Sequence, residues 1–352
     1  MVWNNQLSRL LKIKYPFIQA PMLGFTTPEM VAAAANAGIL GSLPLGLTSA
    51  EKSLQSITAV KKLTSSPFSV NLFVYAKKVA PSSPDTSTLK LFYEDNNLRF
   101  PNIPTEDPYP SYQELIEVII EQKIPVVSFT FGIPAKYIIE KLKNKGIILI
   151  GVATSVEEAK QIQNKGLNIA VAQGIEAGGH RGSFNAGELP QIGLMSLLPQ
   201  VIDEVKIPVI GAGGLSQGRG IAAAFVLGAQ GVQIGSAFLR SKESAASVIH
   251  KQLISSLKDT GTVLTNAWTG RFARMIPNDF IKQLPLEQIL PYPYQNYMSA
   301  SLRQCGKEQN RSDIQTLYAG QSAKYAKDEP VAEIIKNLIT SAEHSLDNAN
   351  KL

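Results

Sequence analysis

The chain of 352 residues predicts an α/β protein: a (β/α)₈ TIM barrel with a smaller, mainly helical second domain. Three observations carry that reading. Short apolar runs of strand length alternate with stretches of helical pattern, which signals a parallel sheet with helical crossovers. Eight such units fall within roughly 240 residues, the span of one barrel. The first strand is not followed by the G-x-G-x-x-G turn of a doubly wound dinucleotide fold, whose sheet more often has about five to seven strands.

The elements follow in order. Pro16 to Ala20 is the first strand, with Pro21, Met22, Leu23 and Gly24 as its loop. Thr27 caps a helix that has Pro28 at its first position and stops at Gly38. Ile39 to Leu43 is the second strand. Thr48 and Glu51 have capping-box spacing and open a helix to about Leu63. Phe68 to Phe73 is the third strand, with the polar Asn71 in an apolar setting.

From Tyr75 to Pro110 the pattern breaks around Pro81, Pro84, Pro101, Pro104, Pro108 and Pro110. A loop of that length in a compact domain is a lid or a spacer, and Phe92, Tyr93, Phe100 and Tyr109 keep a packed lid in view.

Alternation then resumes. Ser111 and Glu114 cap a helix to Gln122, and Pro125 to Phe129 is the fourth strand, with Thr130 at its end. A helix from Pro134 stops at Gly146, and Ile147 to Ile150 is the fifth strand. Ser155 and Glu158 cap a helix that stops at Gly166. The sixth strand, Asn168 to Ala172, ends at Gln173. A helix from Leu194 to Val205 precedes the seventh strand, Ile207 to Ile210. Gly211-Ala-Gly-Gly214 and another helix lead to the eighth strand, Gly231 to Ile234, which ends in Gly235-Ser236.

Past Ser236 the rhythm stops. Ser241 to Leu257 reads as helix, and Thr260 to Gln304 reads as irregular. Val331 to Leu346 is a last helix able to close the barrel wall. The expected division is a barrel over 1–240 and 312–352, with 75–110 as an inserted loop or lid, and a small domain over 241–311.

Composition narrows the function. With 44% hydrophobic and 18% charged residues the chain is globular, and its net charge of +6 is scattered, without the aromatic-interleaved basic runs of nucleic-acid binders. Cys305 is the single cysteine, which excludes an intrachain disulfide and a multi-cysteine zinc site. No signal-peptide order and no membrane-length apolar run occurs, so a cytoplasmic protein is expected. His180, His250 and His344 lie far apart; the last two read as surface residues of helices, and no metal site is expected. There is no G-x-S-x-G elbow.

The stretch with the most chemistry is Val171 to Gly182, VAQGIEAGGHRG. A strand running into a glycine-rich loop with His180 and Arg181 is how a barrel presents reactive groups at its C-terminal rim; the alternative is a tight turn with a surface histidine. Arg181 reads equally as a surface ion pair or an anion-steering group. Two further glycine-rich loops, Gly211 to Gly214 and Gly235-Ser236, follow strands seven and eight, where barrels commonly bind phosphate with backbone N–H groups. Asn71, Thr130, Gln173 and Gln233 stand at strand ends. Their side chains suit the donor–acceptor edge of a flavin or, as plainly, satisfy loop backbone.

Gln19-Ala-Pro-Met22, Gly174-Ile-Glu-Ala-Gly-Gly-His-Arg-Gly182, Gly211-Ala-Gly-Gly214 with Gly218-Arg-Gly220, and Gly231-Val-Gln-Ile-Gly-Ser236 occur in order. Together they resemble the nitronate monooxygenases, formerly 2-nitropropane dioxygenases, over about residues 10 to 325 including Tyr318-Ala-Gly-Gln321. The resemblance implies an FMN-containing barrel with a smaller substrate domain. It implies oxidation of alkyl nitronates, such as propionate 3-nitronate, by O₂ to a carbonyl compound and nitrite. Pro21, Met22 and Leu23 would then run beside the reactive edge of the flavin. Asn71, Gln173, Gly178 and Gly179 would contact its ring and ribityl chain. Gly213, Gly214, Gln233, Ile234, Gly235 and Ser236 would hold its phosphate, and His180 would be the base or polar partner facing substrate. One departure stands out: Thr130, between Phe129 and Phe131, occupies a position where such proteins often carry histidine. The rivals are an FMN-dependent NAD(P)H reductase of enoyl thioesters or quinones, and a flavin-binding scaffold without turnover.

Overall fold

The computed structural model describes residues 3–76, 79, 81–187, 189–349 and 351; Lys77, Lys78 and Ala80 of the proline-rich segment lie outside the described residues. Eight parallel strands form the barrel: β1 (Phe17–Gln19), β2 (Gly41–Pro44), β3 (Phe68–Phe73), β4 (Val126–Thr130), β5 (Ile148–Ala153), β6 (Ile169–Gln173), β8 (Val209–Ala212) and β9 (Gly231–Ile234). Their order is β1-β9-β8-β6-β5-β4-β3-β2. A parallel bridge between Ile18 and Leu40 closes the ring, with Gln19 N donating to Leu40 O at 2.9 Å and Leu40 N to Phe17 O at 3.0 Å. The eight expected strands and the barrel are therefore present.

Side-chain alternation decides what faces the barrel axis. Along β6, Ile169 and Val171 join the interior cluster while Ala170 and Ala172 pack toward the helices. Along β5, Ile150 and Val152 point in, and Leu149 and Ala153 point out. The same period carries Asn71, Thr130, Gln173 and Gln233 to the C-terminal mouth. At the other end the interior is plugged by Leu7 and Leu11 of α1 (Gln6–Leu11), each at most 2% exposed. Each such burial contributes about 1.5–3 kcal/mol. The wall is closed by α14 (Val331–Ala349), which packs against α2 (Pro28–Asn36) and α9 (Gly218–Val226).

Local signals hold with two adjustments. Ser111 and Glu114 form a full capping box, and Ser155 accepts from Glu158 N at 3.2 Å. The cap of α3 (Ala50–Leu63), however, is Ser49 rather than Thr48, whose hydroxyl pairs with Ser53 at 2.8 Å. The helix expected over Ser241 to Leu257 is confined to α10 (Val248–Ser255).

The stretch Thr260 to Gln304 is not irregular. It holds β10 (Val263–Thr265), β11 (Ala273–Met275), α11 (Asp279–Gln283), α12 (Tyr294–Met298) and the start of α13 (Ala300–Glu308). A second hydrophobic core forms there around Trp268, whose ring stacks on Phe280 at 3.7 Å. The proline-rich segment contributes α4 (Ser87–Asp95), whose Leu89 and Tyr93 are buried in that core, and the Tyr93 hydroxyl donates to Met298 O at 2.6 Å.

Candidate active site

A cavity of about 420 Å³ opens at the C-terminal mouth of the barrel, within the range of small-molecule and cofactor sites. Pro21, Met22, Leu23, Asn71, Gln173, Gly178, Gly179, His180, Gly213, Gly214, Gln233, Ile234, Gly235 and Ser236 all line it. Residues drawn from five regions of the chain thus meet in one space.

One end is backbone. Gly213 and Gly214 have φ of +109° and +72°, a region that side-chain-bearing residues rarely enter. Among the described residues, the N–H groups of Gly213, Gly214, Gly235 and Ser236 donate to no backbone acceptor. A Cβ on Gly178 would fall within 2.4 Å of Gly320 N, so this wall is closed by direct backbone contact. Ser236 Oγ accepts from Gly320 N at 2.9 Å. Glu176, the only acidic residue lining the cavity among the described residues, is turned onto Leu194 N at 2.9 and 3.0 Å, where it neutralises the start of α8 (Leu194–Glu204). Bare donors without a free carboxylate suit a phosphate group.

The other end is side chains. His180 lies in β7 (Gly179–His180), a two-residue strand paired antiparallel with β11. Its Nε2 is 2.9 Å from Thr269 Oγ1, while that oxygen lies 3.1 Å from Arg271 O and 3.3 Å from Arg271 N. With the Thr269 proton on the Arg271 carbonyl, the hydroxyl accepts from an Nε2–H and the Nδ1 lone pair is free. Burial, then the charges of Arg271 and Arg303, push the His180 imidazole down to about 3. It is neutral at pH 7, so the ordinary titration near 6.5 is displaced.

Aromatic rings frame this histidine. Phe131 stands edge-on at 5.7 Å and Tyr318 at 5.4 Å between centroids. Phe131 has φ +78°, an uncommon state for a bulky residue, directly after Thr130. The Arg271 guanidinium sits 4.1 Å above the Phe131 ring and donates to Ser183 O at 2.8 Å. Burial lowers its pKa to about 10, which leaves it cationic at neutral pH. Tyr292 also lines the cavity; its buried hydroxyl has no hydrogen-bond partner among the described residues, and burial raises its pKa.

Several expectations change here. Gln173 lines the cavity and also braces its own loop: Nε2 donates to His180 O at 3.0 Å and Oε1 accepts from Gly182 N at 2.8 Å. Arg181 is neither a surface ion pair nor an anion-steering group. It is 1% exposed, and its guanidinium donates to the carbonyls of Gly174, Gln173 and Pro190. His250 is buried rather than on the surface, with Nε2 3.0 Å from Tyr318 O. Asn71 donates to Ser128 Oγ at 2.9 Å and Thr130 Oγ1 at 3.0 Å, so Thr130 serves as an acceptor in place of a titrating group. Thr269, Asn296 and Arg303 are not singled out by the sequence, and Tyr318 enters there only through the Tyr318-Ala-Gly-Gln321 match, because these segments approach the barrel mouth in a way no local pattern records. Among the described residues no cluster of His, Cys, Asp or Glu could hold a metal ion, and no helix is long and apolar enough to cross a membrane.

A family model described as nitronate monooxygenase matches residues 4–341. A relative from Staphylococcus saprophyticus, named a probable nitronate monooxygenase, is 42% identical over 355 residues, covering 99% of this chain and all of the relative. Among solved structures, a nitroalkane oxidase from Streptomyces ansochromogenes superposes with a TM-score of 0.89 at 31% identity, over 98% of this chain and 100% of that one. FabK from Thermotoga maritima aligns with a TM-score of 0.77 at 27% identity over 99% of each chain.

Proposed function

Because the chain belongs to the nitronate monooxygenase family, we propose that it binds one FMN and oxidises alkyl nitronates, such as propionate 3-nitronate, with O₂ to a carbonyl compound and nitrite. The observation that carries this reading is the asymmetry of the cavity: unpaired backbone donors at one end, a neutral histidine beside cationic arginines at the other. Gly213, Gly214, Gln233, Ile234, Gly235 and Ser236 hold the phosphate, and Asn71, Gln173, Gly178 and Gly179 border the ring and ribityl chain. Pro21, Met22 and Leu23 lie along the reactive edge. A bound flavin supplies the electron acceptor.

The protein then contributes position and charge. A nitronate has already lost its α-proton and carries a full negative charge, which the Arg271 cation favours in this partly desolvated space. His180 faces it through the free Nδ1, with Thr269 fixing the ring. A neutral nitroalkane must instead give its proton to that Nδ1, against the same positive field that holds the imidazole neutral. Nitronates are therefore the better substrates. The walls formed by α4 and by residues 241–311 act as the substrate domain.

The test is nitrite release from propionate 3-nitronate in air with no NAD(P)H, together with identification of the chromophore freed by denaturation. FMN and nitrite are expected. FAD would overturn the cofactor assignment; NAD(P)H oxidation without nitrite release would favour a reductase, and no turnover with either substrate type would favour a scaffold.

A further inference from the structure

Arg303 is a cation at the cavity that no carboxylate among the described residues neutralises. It projects from α13 and lines the cavity with Asn296, Ala300 and Lys307 of the same helical layer. Its Nη2 donates to Asn296 O at 2.5 Å, and its Nε lies 3.4 Å from Ser299 O. Those two carbonyls fix the plane of the guanidinium. Nη1 has no hydrogen bond among the described residues, and none of their carboxylates forms an ion pair with it. Glu176, the one acid on the cavity wall among the described residues, is committed to Leu194 N. Four positions along α13, Lys307 adds a second, exposed cation at the rim, where its Nζ is 3.3 Å from Gly24 O.

The contrast with Arg271 is informative. Arg271 spends its guanidinium on the carbonyls of Ser183 and Phe184 and is covered by the Phe131 ring. It shapes the field at His180 but is already engaged. Arg303 is half-buried, held in place and short of an acceptor, which is the state of a ligand-binding arginine before its anion arrives. The segment 75–110 supports this arrangement, since the Tyr109 hydroxyl accepts from Asn296 Nδ2 and Asp107 Oδ1 accepts from both Tyr109 N and the Tyr75 hydroxyl.

We propose that Arg303 is the specificity-determining residue for a second anionic group on the substrate, a carboxylate carried on the chain beyond the nitronate carbon. This rests on the nitronate reading given above. One charge-assisted hydrogen-bonded pair is gained by a carboxylated nitronate and withheld from a plain alkyl nitronate. Lys307 favours the approach of the same group without holding it.

The experiment compares propionate 3-nitronate with propyl-1-nitronate, which has the same carbon count and no carboxylate. Wild-type kcat/KM is expected to favour the carboxylated substrate by on the order of 10- to 100-fold, the effect of one hydrogen bond to a charged group. In Arg303→Met that preference collapses toward unity, mainly through KM, and Arg303→Lys restores part of it. A wild type without preference, or a Met variant in which both substrates fall equally, overturns the proposal while leaving nitronate oxidation standing. Equilibrium dialysis of 3-nitropropionate against the holoenzyme gives a readout free of turnover. Its affinity drops by the same order in Arg303→Met if the proposal holds, and equal affinity in the two proteins overturns it whether or not nitronates are the natural substrates. If the Met variant does not fold, the wild-type preference and the Lys variant decide.

Discussion

The two ends of the cavity are built by opposite means. Around Gly213, Gly214, Gly235 and Ser236 the wall is main chain, set by loops that directly continue β8 and β9. Around His180 the wall is side chains brought from far away: Thr269 lies 89 residues downstream of the histidine it orients. The first end depends on a few backbone torsions, and any Cβ is an intrusion. The second depends on charge and tautomer, and its geometry survives only while a second core holds β10 and β11 against β7. A shared, polyanionic group calls for the former, and a small reacting group for the latter.

The sharpest way to break the comparison is at the backbone end. Gly214→Val forces a β-branched residue to φ near +72° and should abolish flavin retention while the barrel remains folded. Flavin per chain after gel filtration, with far-UV circular dichroism as the control, checks this; full occupancy in the variant would sink the phosphate assignment.

Next in size is His180→Asn. Oxidation of neutral nitroalkanes should fall on the order of 10²–10⁴-fold if Nδ1 is a general base, and nitronate turnover should fall less. Equal losses on both substrates, measured by nitrite release from flavin-replete protein, would discard the base role. No loss on either would make the histidine structural.

Thr269→Val tests the support of that ring. It removes the acceptor for Nε2–H and leaves a buried donor unpaired, which costs about 1–3 kcal/mol. Nitronate kcat should drop by about tenfold, since one kcal/mol or slightly more is at stake in ring orientation. Wild-type kcat in the variant would show that packing by Phe131 and Tyr318 suffices.

The smallest effect is on pH. Burial depresses His180 to about 3 and His250 to about 4, from an ordinary 6.5. Nitronate kcat should therefore show no inflection near pH 6.5. Stability behaves differently: between those depressed values and 6.5 the unfolded chain binds more protons, so stability is complete above pH 6.5 and is lost as pH falls through the window. Urea midpoints at pH 7 and pH 5 should differ in the wild type and differ less in His180→Asn. An equal difference in both proteins would remove His180 from the acid response.

What the sequence determined by itself was whatever repeats locally. Strand count and order follow from apolar runs, and the polar mouth follows from period-two alternation, because Asn71, Gln173 and Gln233 each continue an inward register set lower in the strand. Glycine pairs also declare themselves locally, since only a demand on torsion or space explains Gly213-Gly214 after a strand. Tertiary structure decided which segments meet. Gln173 also braces the backbone of Gly182 and His180, and His250, on a helix that gave no sign of burial, ended under Tyr318. The strands β10 and β11 are only three residues each, too short to show a period, so neither Thr269 nor Arg271 could be read as neighbours of His180. Arg303 escaped for the same reason: an arginine on an amphipathic helix looks solvated until packing turns that face toward a cavity. Periodicity records what the next residues do, whereas contacts between segments many residues apart depend on how two hydrophobic cores dock, which no short window of sequence contains.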